Sequence, residues 1–326
     1  MKIPESVAIN ARGLHKHFDN VHALSEIGFD VFKGELFGFL GPNGAGKTTT
    51  INILTGLARP DSGRVSIGGI DCSTNHRAAQ HLIGVVPDES NLYPELSGFE
   101  NLTFCASLYG LKKKERESRA HELLTEFGLL EAAERKFAGY SKGMKRKLTI
   151  AAGIIHHPDI LFLDEPTTGI DVASARQLRN LISELHSSGT TIFLTTHYIE
   201  EAERLCDRIA FIVSGQIVKI DRVENLLQTV QGKHIVHISI GSDGADIEEK
   251  LISAFGSHRF SFIDKANIHI ESEESIPVGS IVRFLEEQGV EVTEAKKIKP
   301  SLEEVFVRIT GIEADAMRKD RAGGGK

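Results

Sequence analysis

Apolar positions recur along the chain with two different periods, and their order predicts its organisation. From Ile9 to Asp71 the pattern is strand-like, broken by turn signals at Pro60-Asp61-Ser62-Gly63 and Gly68-Gly69. Within it, Glu35-Leu36-Phe37-Gly38-Phe39-Leu40 reads as a buried strand, and Thr50-Ile51-Asn52-Ile53-Leu54 as a helix entered through a glycine-rich turn. From about Asp88 to Gly153 the spacing becomes helical, with helices predicted over Phe99–Tyr109, Lys113–Phe127 and Met144–Ile155. Strand–helix alternation then resumes to about Ile220, with apolar strands at Ile160–Leu163 and Thr191–Thr196, which predicts a parallel sheet.

After Gln231-Gly232 the pattern changes again. Strands are predicted at His234–Ile240, Arg259–Ile263, Asn267–Glu271 and Val290–Ala295, and helices at Asp246–Phe255 and Val278–Gln288. That order is β-α-β-β-α-β, the ferredoxin-like arrangement. A closing helix, Ser301–Thr310, follows Pro300, and Ser301 with Glu304 makes a capping box. The predicted organisation is an α/β domain over residues 7–221 with a helical subdomain over about 88–155. An α+β accessory domain follows over 233–311, and residues 317–326, ending in Ala-Gly-Gly-Gly-Lys, are expected to be disordered.

The turn after the first buried strand is Gly41-Pro42-Asn43-Gly44-Ala45-Gly46-Lys47-Thr48-Thr49. It fills every fixed position of the G-x-x-x-x-G-K-[ST] phosphate-binding loop, in the strand–turn–helix context the motif requires. Glycines let backbone N–H groups turn inward around a polyphosphate, and the helix start adds partial positive charge. Lys47 is expected to reach the β- and γ-phosphates, and the Thr48 hydroxyl to sit on Mg²⁺. This loop serves ATPases, kinases and GTPases alike; the segments downstream separate them.

Ile160-Leu161-Phe162-Leu163-Asp164-Glu165 is an apolar strand that ends in two acids. Beside a phosphate loop, Asp164 fits the carboxylate that approaches Mg²⁺, and Glu165 the general base or water-orienting group. Taken alone, the two acids could equally cap the turn Pro166-Thr167-Thr168-Gly169. Thr191–Thr196 ends at His197, whose imidazole is placed to bond the γ-phosphate or the attacking water. Tyr140-Ser141-Lys142-Gly143-Met144 leads into a basic helix, a second anion-binding helix start. It serves the phosphate of Gly41–Thr49 only if a second copy of the chain supplies it.

With these segments in this order, the chain resembles the nucleotide-binding subunit of an ATP-binding cassette (ABC) transporter from about Val7 to about Asp221. It is similar to the exporter-type subfamily that includes drug-resistance and multidrug ATPases. The resemblance implies a P-loop NTPase with a RecA-like core, an antiparallel β part and a helical subdomain carrying the signature. It puts the signature at Tyr140–Met144, an interface-crossing loop at Gly169-Ile170-Asp171, the switch histidine at His197 and the adenine-stacking aromatic at Phe18. It implies ATP and Mg²⁺ as cofactors, the metal near Thr48, Asp164 and Asp88. It further implies a homodimer closing around two ATP, with Ser141 and Gly143 of one copy over the γ-phosphate held by the other. A separate transmembrane permease, reached at the cytoplasmic face of the membrane, would insert a helix near Tyr93, Leu96 and Phe99. These three residues could equally be internal core. Three positions depart from the family pattern. Lys142 replaces a glycine, Asp88 replaces a Mg²⁺-sensing glutamine, and Phe18 replaces the commoner tyrosine, keeping the stacking face but losing a hydroxyl.

Composition narrows the alternatives. The 326 residues suit about two domains. Hydrophobic residues at 40% and charged residues at 25% are those of a globular protein. No apolar stretch approaches the ~20 residues that span a bilayer, and Met1–Ser6 is unlike a secretion signal. A net charge of −7 without a basic stripe weighs against a nucleic-acid partner. Cys72, Cys105 and Cys206 read as reduced thiols. His15 and His17 could share a strand face for a metal but read better as exposed polar residues, and His156-His157 reads as a loop. Two other functions compete. One is a soluble cassette ATPase of translation or DNA repair, which would carry a second cassette or a coiled-coil insertion. The other is a non-hydrolysing ATP-dependent regulator, which Glu165 and His197 argue against. A GTPase would carry an Asn-Lys-x-Asp motif, which is missing from the sequence.

Overall fold

The computed structural model describes residues 6–19, 21–228, 234–241, 247–262, 266–298 and 301–312; the predicted disordered tail, residues 317–326, lies outside them. The chain divides into two units, one running to Val223 and the other beginning at Glu224. The first unit runs β1 (Val7–Phe18), β2 (Val21–Phe32), β3 (Leu36–Leu40), α1 (Lys47–Leu54), β4 (Ser62–Ile67), β5 (Ile70–Asp71), α2 (His76–His81) and β6 (Ile83–Val86). It continues α3 (Gly98–Leu108), α4 (Lys113–Glu126), α5 (Lys142–Ile154), β7 (Ile160–Asp164), α6 (Val172–Ser187), β8 (Thr191–Thr196), α7 (Ile199–Leu205), β9 (Arg208–Val213) and β10 (Gln216–Arg222).

Two sheets share one core. An antiparallel sheet has the order β2-β1-β4-β5, and a six-stranded sheet the order β10-β9-β3-β8-β7-β6. β3, β7 and β8 are buried at every position, which is why each reads around an apolar run, Leu36–Leu40, Ile160–Leu163 and Ile192–Leu194. Phenylalanines join the sheets. The Phe193 ring lies 5.5–5.9 Å from the rings of Phe29, Phe37, Phe39 and Phe162. The pairs β6–β7, β7–β8, β8–β3 and β3–β9 are parallel, but β10 returns antiparallel to β9. Ser214 and Gly215, both at positive φ, form the tight turn that makes this last pair a hairpin, so the expected parallel sheet ends one strand early.

In the helical part, Ser97 and Glu100 form a reciprocal capping box at the start of α3. Asn101, fully buried, bonds the backbone of Tyr93, Leu96 and Ser97 and holds that loop against the helix. α5 begins two residues before the expected Met144, because Ser141 caps it by accepting the Met144 N–H at 3.2 Å. His156 lies in the loop after α5, as expected, and is packed there: its ring stacks on Tyr109 at 3.5 Å, and Nε2 meets the Ile83 carbonyl at 3.0 Å.

α8 (Val223–Gln228) follows, and then β11 (His234–Ile240), α9 (Ile247–Ala254), β12 (Arg259–Phe262), β13 (Asn267–Ser272), α10 (Val278–Glu287), β14 (Val292–Ile298) and α11 (Leu302–Thr310). The strands form an antiparallel sheet in the order β12-β13-β11-β14. Val236, Ile238, Ile268 and Ile270 point to one face and pack with Ile247, Leu251, Ile281 and Leu285 of α9 and α10. Ser301 caps α11 by accepting the Glu304 N–H, while the Glu304 carboxylate faces His269 at 3.7 Å.

Candidate functional site

β3, β8 and β7 lie side by side, and each delivers part of one site at its C-terminal end. After β3 the chain bends sharply into α1. Gly46, the N-cap, has φ 104°, a conformation a side chain would strain. Gly41 is required for closeness: a Cβ there would lie 2.1 Å from the Ile212 carbonyl oxygen. Lys47 is 4% exposed; Nζ donates to the carbonyls of Gly41 (2.8 Å) and Pro42 (3.1 Å) and lies 3.3 Å from Glu165 Oε1. The ammonium is thus folded back over the loop, beside the helix start where a polyphosphate is favoured.

Asp164 ends β7. Its carboxylate accepts hydrogen bonds from Thr195 of β8 and from Thr48 in the first turn of α1. Burial pushes its pKa up, against the pull of these two hydroxyls, and the nearby Glu165 and Asp88 carboxylates push the same way as burial. Thr48 and Asp164 are adjacent hard oxygen donors, the type a hydrated Mg²⁺ takes, so the residues present fit that ion. Asp88, half-buried in the loop after β6, is close enough to be felt electrostatically.

Glu165 leaves β7 at φ 45°, in the left-handed region, and its N–H is anchored to the Thr195 carbonyl at 3.0 Å. Non-glycine residues held there gather at functional sites. Its carboxylate lies between Lys47 and His197, with Oε2 3.1 Å from His197 Nδ1; this is a close approach rather than an aligned hydrogen bond. Thr168 Oγ1 donates to the same Oε2 at 3.1 Å. Burial raises the Glu165 pKa, but the His197 imidazole and the Lys47 ammonium outweigh it and hold the group at about 2.

The other candidates lie on other elements. Phe18, half exposed at the end of β1, has the Lys16 ammonium 5.2 Å above its ring. Asp61 holds both Lys16 (2.9 Å) and the His17 N–H (2.6 Å), and the His17 ring meets His22 at 2.7 Å. Ser141 and Gly143 sit at the start of α5, which packs on α3, α4, α6 and β6. A Cβ on Gly143 would come 2.4 Å from Ser174 Oγ, and Asp171 holds that hydroxyl at 2.7 Å.

Three residues of the site were not foreseen. Thr195 joins Asp164 to β8. Glu201 on α7 is buried, accepts a hydrogen bond from Thr167 at 2.8 Å, and has its pKa raised by burial. Arg146 of α5 reaches the carbonyls beside Asp164 and Asp88. A signal existed for Arg146: it shares a helix face with Thr149, Ile150 and Gly153, all buried.

A glycine loop opening a helix after a buried parallel strand, with an acid pair and a histidine brought beside it by neighbouring strands, defines a P-loop nucleoside triphosphatase. Residues 24–168 match the ABC transporter family. The chain belongs to this family and is one of its ATP-binding, ATP-hydrolysing subunits. It is 35% identical over 312 residues to the linearmycin resistance ATP-binding protein LnrL of Bacillus subtilis, covering 93% of this chain and 98% of that protein. It is 35% identical over 306 residues to the Nod factor export ATP-binding protein I of Burkholderia lata, covering 94% and 97%. A solved ATP-binding subunit of an ABC transporter superposes with a TM-score of 0.62 at 31% identity, over 68% of this chain and 92% of that one. A dimeric ATP-binding cassette in a post-hydrolysis state, bound to ADP and Pi, superposes with a TM-score of 0.61 at 25% identity, over 66% and 98%. Subunits of this family act as dimers with transmembrane partners. Among the described residues no helix is long and apolar enough to cross a membrane.

Proposed function

We propose that this chain powers an export transporter: two copies close around two ATP at the cytoplasmic face of a membrane and drive a separate permease. What supports the reading is the convergence of Lys47, the Thr48–Asp164 pair, Glu165 and His197 at the ends of three neighbouring strands. The relatives named for drug resistance and Nod factor export supply the direction. In this reading residues 7–221 are the catalytic cassette and 233–311 an accessory domain.

Gly41–Thr49 cradle the phosphates, with the Lys47 ammonium neutralising them. Thr48 and Asp164, with Asp88 beside them, hold Mg²⁺, which when bound offsets phosphate charge. Phosphate oxygens that draw Lys47 toward themselves remove one of the two groups that depress the Glu165 pKa, so the carboxylate becomes a stronger base when substrate is in place. Glu165 then orients the attacking water and takes its proton, and His197 holds the Glu165 carboxylate. Phe18 stacks on adenine. Ser141 and Gly143 close over the γ-phosphate of the other copy, with the exposed Lys142 ammonium beside it. Tyr93, 52% exposed and in edge contact with Phe104, offers the permease an aromatic step, whereas Leu96 and Phe99 are half-buried.

The test is ATP binding and turnover of the chain assembled with its permease. Lys47→Ala is expected to abolish most ATP binding. Glu165→Gln is expected to keep binding and to slow turnover by about 10²–10⁴-fold. Turnover of Glu165→Gln at the wild-type rate would overturn the assignment of the base.

A further inference from the structure

Arg146 is the one member of the run Lys145-Arg146-Lys147 that turns fully inward, and it is 4% exposed. Its guanidinium is spent on backbone carbonyls. Nε donates to Pro166 at 2.8 Å, Nη2 to Asp164 at 2.6 Å, and Nη1 to Asp88 at 2.9 Å and to Pro87. These carbonyls belong to two separate segments, the end of β7 and the loop after β6, and each carries one of the acids assigned to the metal. Thr149, one turn along α5, repeats the tie to the second segment through Ser90 Oγ at 3.0 Å. Burial lowers the Arg146 pKa, and the carboxylates of Asp88, Asp164, Glu201 and Glu165 pull it back up.

The same turn of α5 begins with Ser141 and Gly143. The helix start assigned to one copy's partner nucleotide is therefore bolted, three residues later, to the acids that serve the copy's own nucleotide. We propose that Arg146 is a positioning residue that couples the two nucleotide sites of the dimer. This rests on the reading that Ser141 and Gly143 act across the interface.

A buried guanidinium must keep its donors satisfied, so displacing α5 either carries the two loops with it or breaks several charge-assisted bonds at once. The planar fork is what spans both segments. Lysine brings its donors from a single nitrogen and cannot reach carbonyls on both sides. A shift of α5 driven by one nucleotide is thus felt at Asp164 and Asp88, where the other nucleotide is served.

The test uses mixed dimers of two differently tagged full-length copies, assembled with the permease. In the first arm, one copy carries Glu165→Gln together with Arg146→Lys, so only the site held by the unmodified copy's phosphate loop turns over. In the second arm, Glu165→Gln is in one copy and Arg146→Lys in the other, so the working site uses the variant copy's own acids. Coupling predicts that kcat of the working site falls about tenfold in both arms relative to dimers with Glu165→Gln alone. A fall in only one arm, or in neither, overturns the proposal by reducing Arg146 to a local support. Melting temperature and dimer yield are measured alongside, and Arg146→Met is the second variant. Losses of kcat that track lost folded dimer in both variants also overturn it. A third arm places Ser141→Ala in the non-hydrolysing copy. If the working site is then unaffected, the trans reading itself fails. If Ser141→Ala slows it and Arg146→Lys does not, only the coupling fails.

Discussion

Glu165 and Asp164 are neighbours in sequence with opposite electrostatic fates. The Glu165 pKa of about 2 in the fold lies below its ordinary 4.5. Its pairing with His197 and Lys47 therefore stabilises the fold above pH 4.5, and that stabilisation is lost as pH falls from 4.5 toward 2. Asp164 has the reverse sign: its pKa is raised, so the ionised form weakens the fold as pH rises through its titration. At pH 7 Glu165→Gln is expected to lower the unfolding free energy and Asp164→Asn to raise it. The deficit of Glu165→Gln should shrink on acidification between pH 4.5 and 2 in urea melts. A deficit that stays flat across that window would show that Glu165 is not held as an ion pair. Both acids, the phosphate loop and His197 were legible in the sequence because the chemistry dictates residue type and order. Arg146 and Thr195 were not, because they work by bonding carbonyls and carboxylates supplied by distant segments. The spacing of Arg146 with Thr149, Ile150 and Gly153 signals only that it turns inward, and no local pattern names the carbonyls it meets.

β3, β7 and β8 hold the site because the layer beneath them does not yield, and Phe193 lies at the centre of that layer. Its ring touches phenylalanines from β2, β3 and β7, so Phe193→Ala removes packing from both sheets at once. The expected cost is about 3–5 kcal/mol in equilibrium unfolding, with ATP turnover falling through lost folded protein. A cost below about 1 kcal/mol would mean that the sheets close over the gap, and that the aromatic layer is not what fixes the strand ends. Elements like these were legible because complete burial leaves an apolar run, and the second unit because β13 alternates between core and open face, although β14 is exposed along most of its length. α7 was not: seven residues give under two turns, too few for a periodic signal, and so Glu201 went unseen on it. The antiparallel return of β10 was written in Ser214-Gly215, a hairpin turn that strand–helix alternation alone does not weigh.

At the scale of the whole molecule, each copy has one phosphate loop and one α5 start, in separate elements, and in the proposed dimer a two-fold axis would pair them into two equivalent sites. A ligand shifts such an equilibrium only by binding the closed pair better than the open one, and the γ-phosphate is the group that both copies would touch. The Glu165→Gln chain in complex with its permease is therefore expected to close with ATP and to remain open with ADP, as read by small-angle scattering or by crosslinks between the two α5 starts. Lys142 refines the expectation. It is exposed at the first position of α5, beside Ser141, where in the proposed dimer its ammonium would meet the partner's phosphates across solvent. Exposed pairs of this kind are worth about 0.2–1 kcal/mol, so Lys142→Gly should weaken ATP-dependent closure only a few-fold, and less as salt is raised. Closure with ADP as complete as with ATP would remove the γ-phosphate from its place as the link between the copies. A Lys142→Gly variant that no longer closes at all would make the ammonium, and not the serine and glycine around it, the group that seals the interface.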